Sequence, residues 1–209
     1  MARTRPLRSE TRRNVLDAAF EVFGERGIAA SSLTEVAARA GLTKGAVYSN
    51  FASKDELVLA LMEEHAAHRI QASLDAIDLD DPRDVLDLVA GVLVHEMRVD
   101  ATWHRLLAEY FAMVHHDPYR REALRDRRRE VRASVTRALE AVGTALEITW
   151  PMPTEDMAST MLALSNGLGV ESDIDPDGVP EDLLARVLTL IAGDAVAQVR
   201  AAAERTTSS

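Results

Sequence analysis

The chain has 209 residues, 47% of them apolar and only 4% aromatic, with no cysteine. Its core must come from Leu, Val and Ala, and it has no disulfide, thiolate metal site or cysteine nucleophile, which fits a cytoplasmic setting. The net charge of −10 argues against nucleic acid as a partner of the whole chain, yet residues 1–54 carry nine basic and five acidic side chains (+4) against 15 and 29 (−14) in the rest, a basic head on an acidic body.

No run of about 18 apolar residues exists, so no membrane partner is expected. The N-terminal MARTRPLRSETRR has no apolar stretch behind it and is not a secretory signal. Residues 1–8, with Arg3, Arg5 and Arg8, read either as a basic arm reaching for DNA or as a frayed tail. Helix one is predicted from Ser9, as N-cap, to Glu25. Val15, Leu16, Ala19, Phe20, Val22 and Phe23 form its inward face, and Gly27 ends it on a left-handed residue.

Ser32 and Glu35 form the S-x-x-E capping box of a second helix, whose Leu33, Val36, Ala37 and Ala40 share one face before Gly41 stops it. Thr43 caps a third, with Val47 and Phe51 as its apolar stripe. Two short helices joined by a tight glycine-containing turn make a helix-turn-helix. The third helix leaves Thr43, Lys44, Gly45, Ala46, Tyr48, Ser49 and Asn50 outward, a set without an acid in an acid-rich chain. Small residues let the backbone approach a duplex, and Lys44 with the free N–H groups at the helix start suits phosphate. Tyr48 can donate to phosphate or lay its ring on a sugar or thymine methyl, and Asn50 can pair bidentately with adenine. Ser32, Thr34 and Lys54 complete the expected DNA-facing set. The alternative is the solvated face of an ordinary helical bundle.

Residues 14–62, through AAFEVFGERG, EVAARAGLTKGAVYSNF and SKDELV, resemble the N-terminal domain of TetR-family transcriptional regulators. The resemblance covers about a quarter of the chain. It implies a palindrome-reading homodimer whose fourth helix links the DNA-binding head to a small-molecule sensor. That helix is predicted from a second capping box, Ser53 and Glu56, to about Ile77.

Beyond the polar break DLDDP, helices are predicted over 82–99, 101–116, 118–146 and 155–170, the last capped by Thr154. Gly167 and Gly169 read as its fraying end. The arginine-dense tract Arg120–Arg132, with acids Glu122, Asp126 and Glu130, reads as a solvated helix face, with a second DNA-binding surface as the minor alternative. His115-His116-Asp117 reads as a helix end rather than a metal site. Asp173, Asp175 and Asp177 alternate like a calcium loop, but Leu184 stands where the closing Glu belongs. The final helix opens at Pro180 and carries apolar residues on two sides, one more than a surface helix needs. The second side suits another copy of the chain, and the expected dimer interface is Met161, Leu164, Leu184, Val187, Leu188, Ile191 and Val196.

The expected fold is therefore all-α with about nine helices. Residues 1–54 form a three-helix DNA-binding domain with its basic arm, and 55–209 form a helical ligand-binding and dimerisation domain. Trp103, His104, Leu107, Tyr110, Phe111, Met113, Met161 and Asn166, with His95, are the pocket candidates for a lipophilic, near-neutral effector, each of them also a plausible core residue. No phosphate loop, metal motif or catalytic constellation names a reaction, so neither an enzyme nor a cofactor is expected. The expected function is an effector-released transcriptional regulator, a repressor by the family's habit. An activator, or a DNA-binding architectural protein without an effector, is the alternative.

Overall fold

A computed structural model describes residues 8–75, 101–115, 117–145, 147, 149–180 and 182–192. The arm residues Arg3 and Arg5, the helix expected over 82–99 with His95, His116, and Val196 lie outside these. The described residues form eight helices and no strand. They are α1 (Arg8–Arg26), α2 (Leu33–Arg39), α3 (Lys44–Tyr48), α4 (Lys54–Asp75), α5 (Ala101–Val114), α6 (Pro118–Ala145), α7 (Thr154–Ile174) and α8 (Leu183–Ala192). The all-α expectation holds.

Two compact units divide the chain inside helices rather than at loops. The first comprises residues 1–65 and 106–124, and the second 66–105 and 125–209. Helices α4, α5 and α6 each begin in one unit and end in the other.

In the first unit the core follows the helical period. Val15, Leu16, Ala19, Val22 and Phe23 of α1 are buried, as are Leu33, Val36 and Ala37 of α2 and Val47 and Phe51 around α3. Each such Val, Leu or Phe contributes roughly 1.5–3 kcal/mol on leaving water. The guanidinium of Arg12 lies 4.5 Å from the Phe51 ring centroid, over its face. Ser9 is not the cap expected of it, because α1 already includes Arg8. Gly27 (φ 83°) and Gly41 (φ 65°) end α1 and α2 in the left-handed region, where a Cβ collides with the following carbonyl.

The second unit holds the α7–α8 pair. Leu184 and Leu188 of α8 are buried, and Met161, Leu164, Leu168 and Ala185 pack against them. Helix α7 runs four residues past its expected end, and Gly169 is not a frayed terminus. A Cβ there would fall 2.3 Å from the His104 ring, so the buried imidazole occupies the space a side chain would need. Thr154 is not the N-cap of α7. Pro153 stands there without a side-chain cap, and Thr154 lies inside the helix. Beyond α7, the Asp175 carboxylate accepts from the Gly178 N–H, a local turn. Among the described residues no group of three or more acids and histidines gathers as a metal site requires. No helix among them is long and apolar enough to cross a membrane.

The two left-handed glycines give a graded expectation. Gly41→Ala, with open space around the added methyl, should cost about 1–2 kcal/mol of unfolding free energy. Gly27→Ala should cost more, because its methyl meets both Glu109 carboxylate oxygens at 3.2 Å. Urea unfolding of the two variants checks the order.

Candidate nucleic-acid interface

The helix-turn-helix is built by local caps. Ser32 accepts from the Glu35 N–H at 3.3 Å, while the Glu35 carboxylate accepts from the Ser32 N–H at 2.8 Å and its hydroxyl at 2.9 Å. Thr43 accepts from the Ala46 N–H at 3.2 Å and so starts α3. The Ser49 hydroxyl closes it by donating to the Ala46 carbonyl at 2.8 Å. Helix α3 is short, five residues, and Asn50 and Phe51 follow its end.

Ion pairs fix the head against itself. Arg39, at the end of α2, donates to Glu21 at 2.9 Å and to Glu25 at 2.6 Å on α1. Arg26 pairs with Glu35, and Arg13 lies 3.7 Å from Glu64. The hydrogen bond from Arg39 holds the Glu25 carboxyl below the usual carboxylate range, and the hydrogen bond from the Ser32 hydroxyl does the same for Glu35. Much of the head's positive charge is thus internal bracing.

The expected DNA-facing residues divide accordingly. Lys44, Gly45, Tyr48, Ser49, Thr43, Thr34 and Ser32 are all exposed, and Ala46 is half-buried. The Lys44 ammonium lies 5.7 Å from the centroid of the Tyr48 ring, and Tyr48 is 46% exposed, so cation and ring form one outward feature. The hydroxyls of Ser32 and Ser49 donate within the head. Thr43 accepts its cap bond and keeps its O–H to donate.

Two residues depart from expectation. The Asn50 amide donates back to the Ala46 carbonyl at 2.9 Å, so its N–H₂ is turned into the helix rather than poised for adenine. Lys54 is not poised for phosphate. Its ammonium donates to the carbonyls of Ile28 (2.6 Å), Ala29 (3.1 Å) and Ser31 (2.9 Å), which uses all three of its N–H groups. In the arginine tract of α6, Arg121, Arg125 and Arg129 are exposed, while Arg120, Arg127, Arg128 and Arg132 are half-buried, and burial lowers the pKa of Arg128. Arg127 pairs with Glu130 and Arg129 with Asp126 along the helix, and Arg120 reaches Asp55 and Asp117.

Sequence reasoning missed Glu109. From α5 its carboxylate accepts from the Ile28 N–H at 2.9 Å and the Ala29 N–H at 2.8 Å. A partner 81 residues distant leaves no local signal.

The pocket candidates fall in both units. Trp103 and His104 are buried in the second, where Met161 and Asn166 are half-buried. Leu107 and Tyr110 are buried in the first, where Phe111 is 36% exposed and Met113 half-buried. Burial, helped by the Asp55 charge, pushes the Tyr110 hydroxyl up to about 12.

Packing divides the interface candidates. Leu184 and Leu188 are buried within their own chain, and the partly buried Met161 and Leu164 pack against them. The other side of α8 is left by Leu183 and Val187, both half-buried, and by Leu190, 80% exposed, at i, i+4 and i+7. Ile191 is half-buried.

Comparison with known proteins adds to this geometry. Residues 15–61 match the family model for bacterial regulatory proteins of the tetR family. The HTH-type transcriptional regulator TtgR of Pseudomonas putida is 33% identical over 106 residues, 50% of each chain. The HTH-type transcriptional repressor BepR of Brucella suis is 34% identical over 105 residues, again 50% of each. The chain spans about half the length of the curated relatives it matches. The SmeT–triclosan complex shares the fold, with a TM-score of 0.62 and 22% identity over 90% of this chain and 94% of that one.

The bracing carboxylates set a pH expectation. A carboxylate whose folded pKa is depressed stabilises above its unfolded value, about 4.3, and loses that contribution as pH falls through the folded one. Thermal stability should therefore hold from pH 7 to 5 and drop below about pH 4. The drop should be smaller in Glu25→Gln, read by melting temperature against pH; an identical acid loss would remove Glu25 from the account.

Proposed function

We propose that this TetR-family transcriptional regulator binds a palindromic operator as a homodimer, represses transcription there, and is released by a small lipophilic molecule. The observation that carries the reading is the outward face of α3. It is free of acids, it presents Lys44 over Tyr48, and it stands on a head braced by its own ion pairs. A short rigid helix with small residues at Gly45 and Ala46 suits close approach to the major groove.

The pairing of two heads is supported by α8. Its Leu184–Leu188 side is covered within the chain, and Leu183, Val187 and Leu190 form a second apolar stripe. A two-fold contact through that stripe would join two residue 55–209 regions and set the distance between their heads. Repression is supported by the relative named a repressor, and release by a ligand is supported by the triclosan complex of a protein of the same fold. An effector that binds one arrangement of the heads better than the other shifts the population by its differential affinity. His104, buried against Gly169 of α7, and the buried Trp103 beside it in sequence are the side chains to vary when that molecule is sought.

Selection of bound duplexes from a random pool tests the reading. A palindrome with steep salt dependence is the expected winner, and no enrichment by ligand-stripped, refolded protein would sink it. On the selected duplex, Lys44→Ala should weaken binding and reduce the salt slope by about 1.8, one phosphate contact being lost from each protomer of the pair. Lys54→Met should leave the slope and lower thermal stability, since its ammonium serves backbone carbonyls.

For pairing, Leu190→Glu should give monomers in sedimentation experiments with helix content intact. Charging Leu188 instead would disturb the chain's own core. A dimer that survives Leu190→Glu places the interface elsewhere.

A further inference from the structure

The connection between α1 and α2 satisfies only part of its own backbone. The Ser31 N–H donates to the Ile28 carbonyl at 3.3 Å and the Ser31 hydroxyl to the Gly27 carbonyl at 2.6 Å, while the N–H groups of Ile28 and Ala29 take their partner from outside it. Outside partners come from two different helices. Lys54, at the start of α4, takes carbonyls of Ile28, Ala29 and Ser31. Glu109, on α5, takes the amides of Ile28 and Ala29, one on each carboxylate oxygen. Gly27 permits the approach, because a Cβ at that position would stand 3.2 Å from both oxygens.

Glu109 is therefore not a generic surface acid. It is half-buried, it makes two charge-assisted hydrogen bonds, and both end on the segment that carries the helix-turn-helix. Its neighbour Tyr110 is fully buried and feels the charge of Asp55, in the first turn of α4. Adjacent residues of α5 thus address the α1–α2 connection and the opening of α4.

We infer that Glu109 is the positioning residue through which the placement of α5 sets the placement of the helix-turn-helix. A shift of α5 that draws Glu109 back from the connection by about one ångström carries both carboxylate oxygens out of hydrogen-bond range of Ile28 and Ala29. The connection then keeps only its carbonyl-side anchor at Lys54, and α2 and α3 lose the fixed frame that a groove requires. By reciprocity, seating α3 on DNA favours the α5 placement that keeps Glu109 on those amides. The inference rests on the proposed DNA-binding function and adds to it the residue by which the head and α5 are coupled.

The experiment uses the full chain and the selected duplex, so no effector is needed. Amide exchange is followed with and without duplex in the unaltered chain, Glu109→Ala and Glu109→Gln, the last keeping the volume and one acceptor. In the unaltered chain, duplex should slow exchange over residues 32–50 and across α5. In Glu109→Ala the amides of Ile28 and Ala29 should exchange freely and the α5 response should fall by about fivefold or more, while residues 32–50 remain protected by duplex. Glu109→Gln should lie between, a graded response that loss of fold would not give. An α5 response as large in Glu109→Ala as in the unaltered chain overturns the inference, and so does the absence of any response there. If Glu109→Ala does not fold, Glu109→Gln decides alone. Failure of both to fold makes the residue a support of the fold and also overturns it. No protection of residues 32–50 by any duplex overturns the DNA-binding reading itself, a distinct result that takes the inference with it.

Discussion

The head rests on the requirement that buried or turn-bound peptide groups find partners. Between α1 and α2 the chain reverses over a few residues, and no helix can pair their N–H and C=O groups. One ammonium and one carboxylate meet that need from helices distant in sequence. Everything that faces outward from α3 depends on this, because α2 and α3 hang from the connection. A helix of five residues has too few internal hydrogen bonds to define its own position. Its position is borrowed from the caps at Ser32 and Thr43, the buried anchors Val47 and Phe51, and the held connection behind them.

This explains why counting charges overstates what DNA would meet. The head is basic by composition, yet Arg26 and Arg39 are paired with acids of the same domain and Lys54 with carbonyls. The outward character of α3 comes less from an excess of cations than from the absence of acids, with Lys44 laid over Tyr48. Such a surface attracts a polyanion weakly until the backbone comes close, which favours shape-dependent contact over indiscriminate charge.

What was legible in the sequence was local. The capping box of Ser32 and Glu35, the left-handed stops at Gly27 and Gly41, and the inward stripes of α1 and α2 are written within three or four residues of themselves, and the structure has them as expected except that Phe20 and Ala40 are only half-buried. Non-local chemistry was hidden. Lys54 looked like a phosphate ligand because a lysine's partner in a loop 26 residues away leaves no periodic trace. Asn50 looked like a base reader because its return to the Ala46 carbonyl is a matter of rotamer, not of spacing. On α8 the two apolar sides were visible, but which of them the chain keeps for itself depends on how α7 lies against it. The packing gives Leu184 and Leu188 to the core and leaves Leu190 outside. Gly169 shows the same limit, since a glycine near a helix end reads as fraying until a buried ring is found against it.

The interleaving of the units bears on how the protein is made. The unit containing the head draws its second segment, 106–124, from beyond forty residues that belong to the other unit. On a ribosome, Ala29 emerges 80 residues before Glu109, a lag of roughly 4–16 s at ordinary rates of synthesis. During that interval Lys54 can already hold the carbonyls of the connection, but its amides have only water. The nascent head is therefore half-anchored until much of the chain has been translated, and a cell that stops synthesis between the two segments releases a helix-turn-helix with an unfastened hinge.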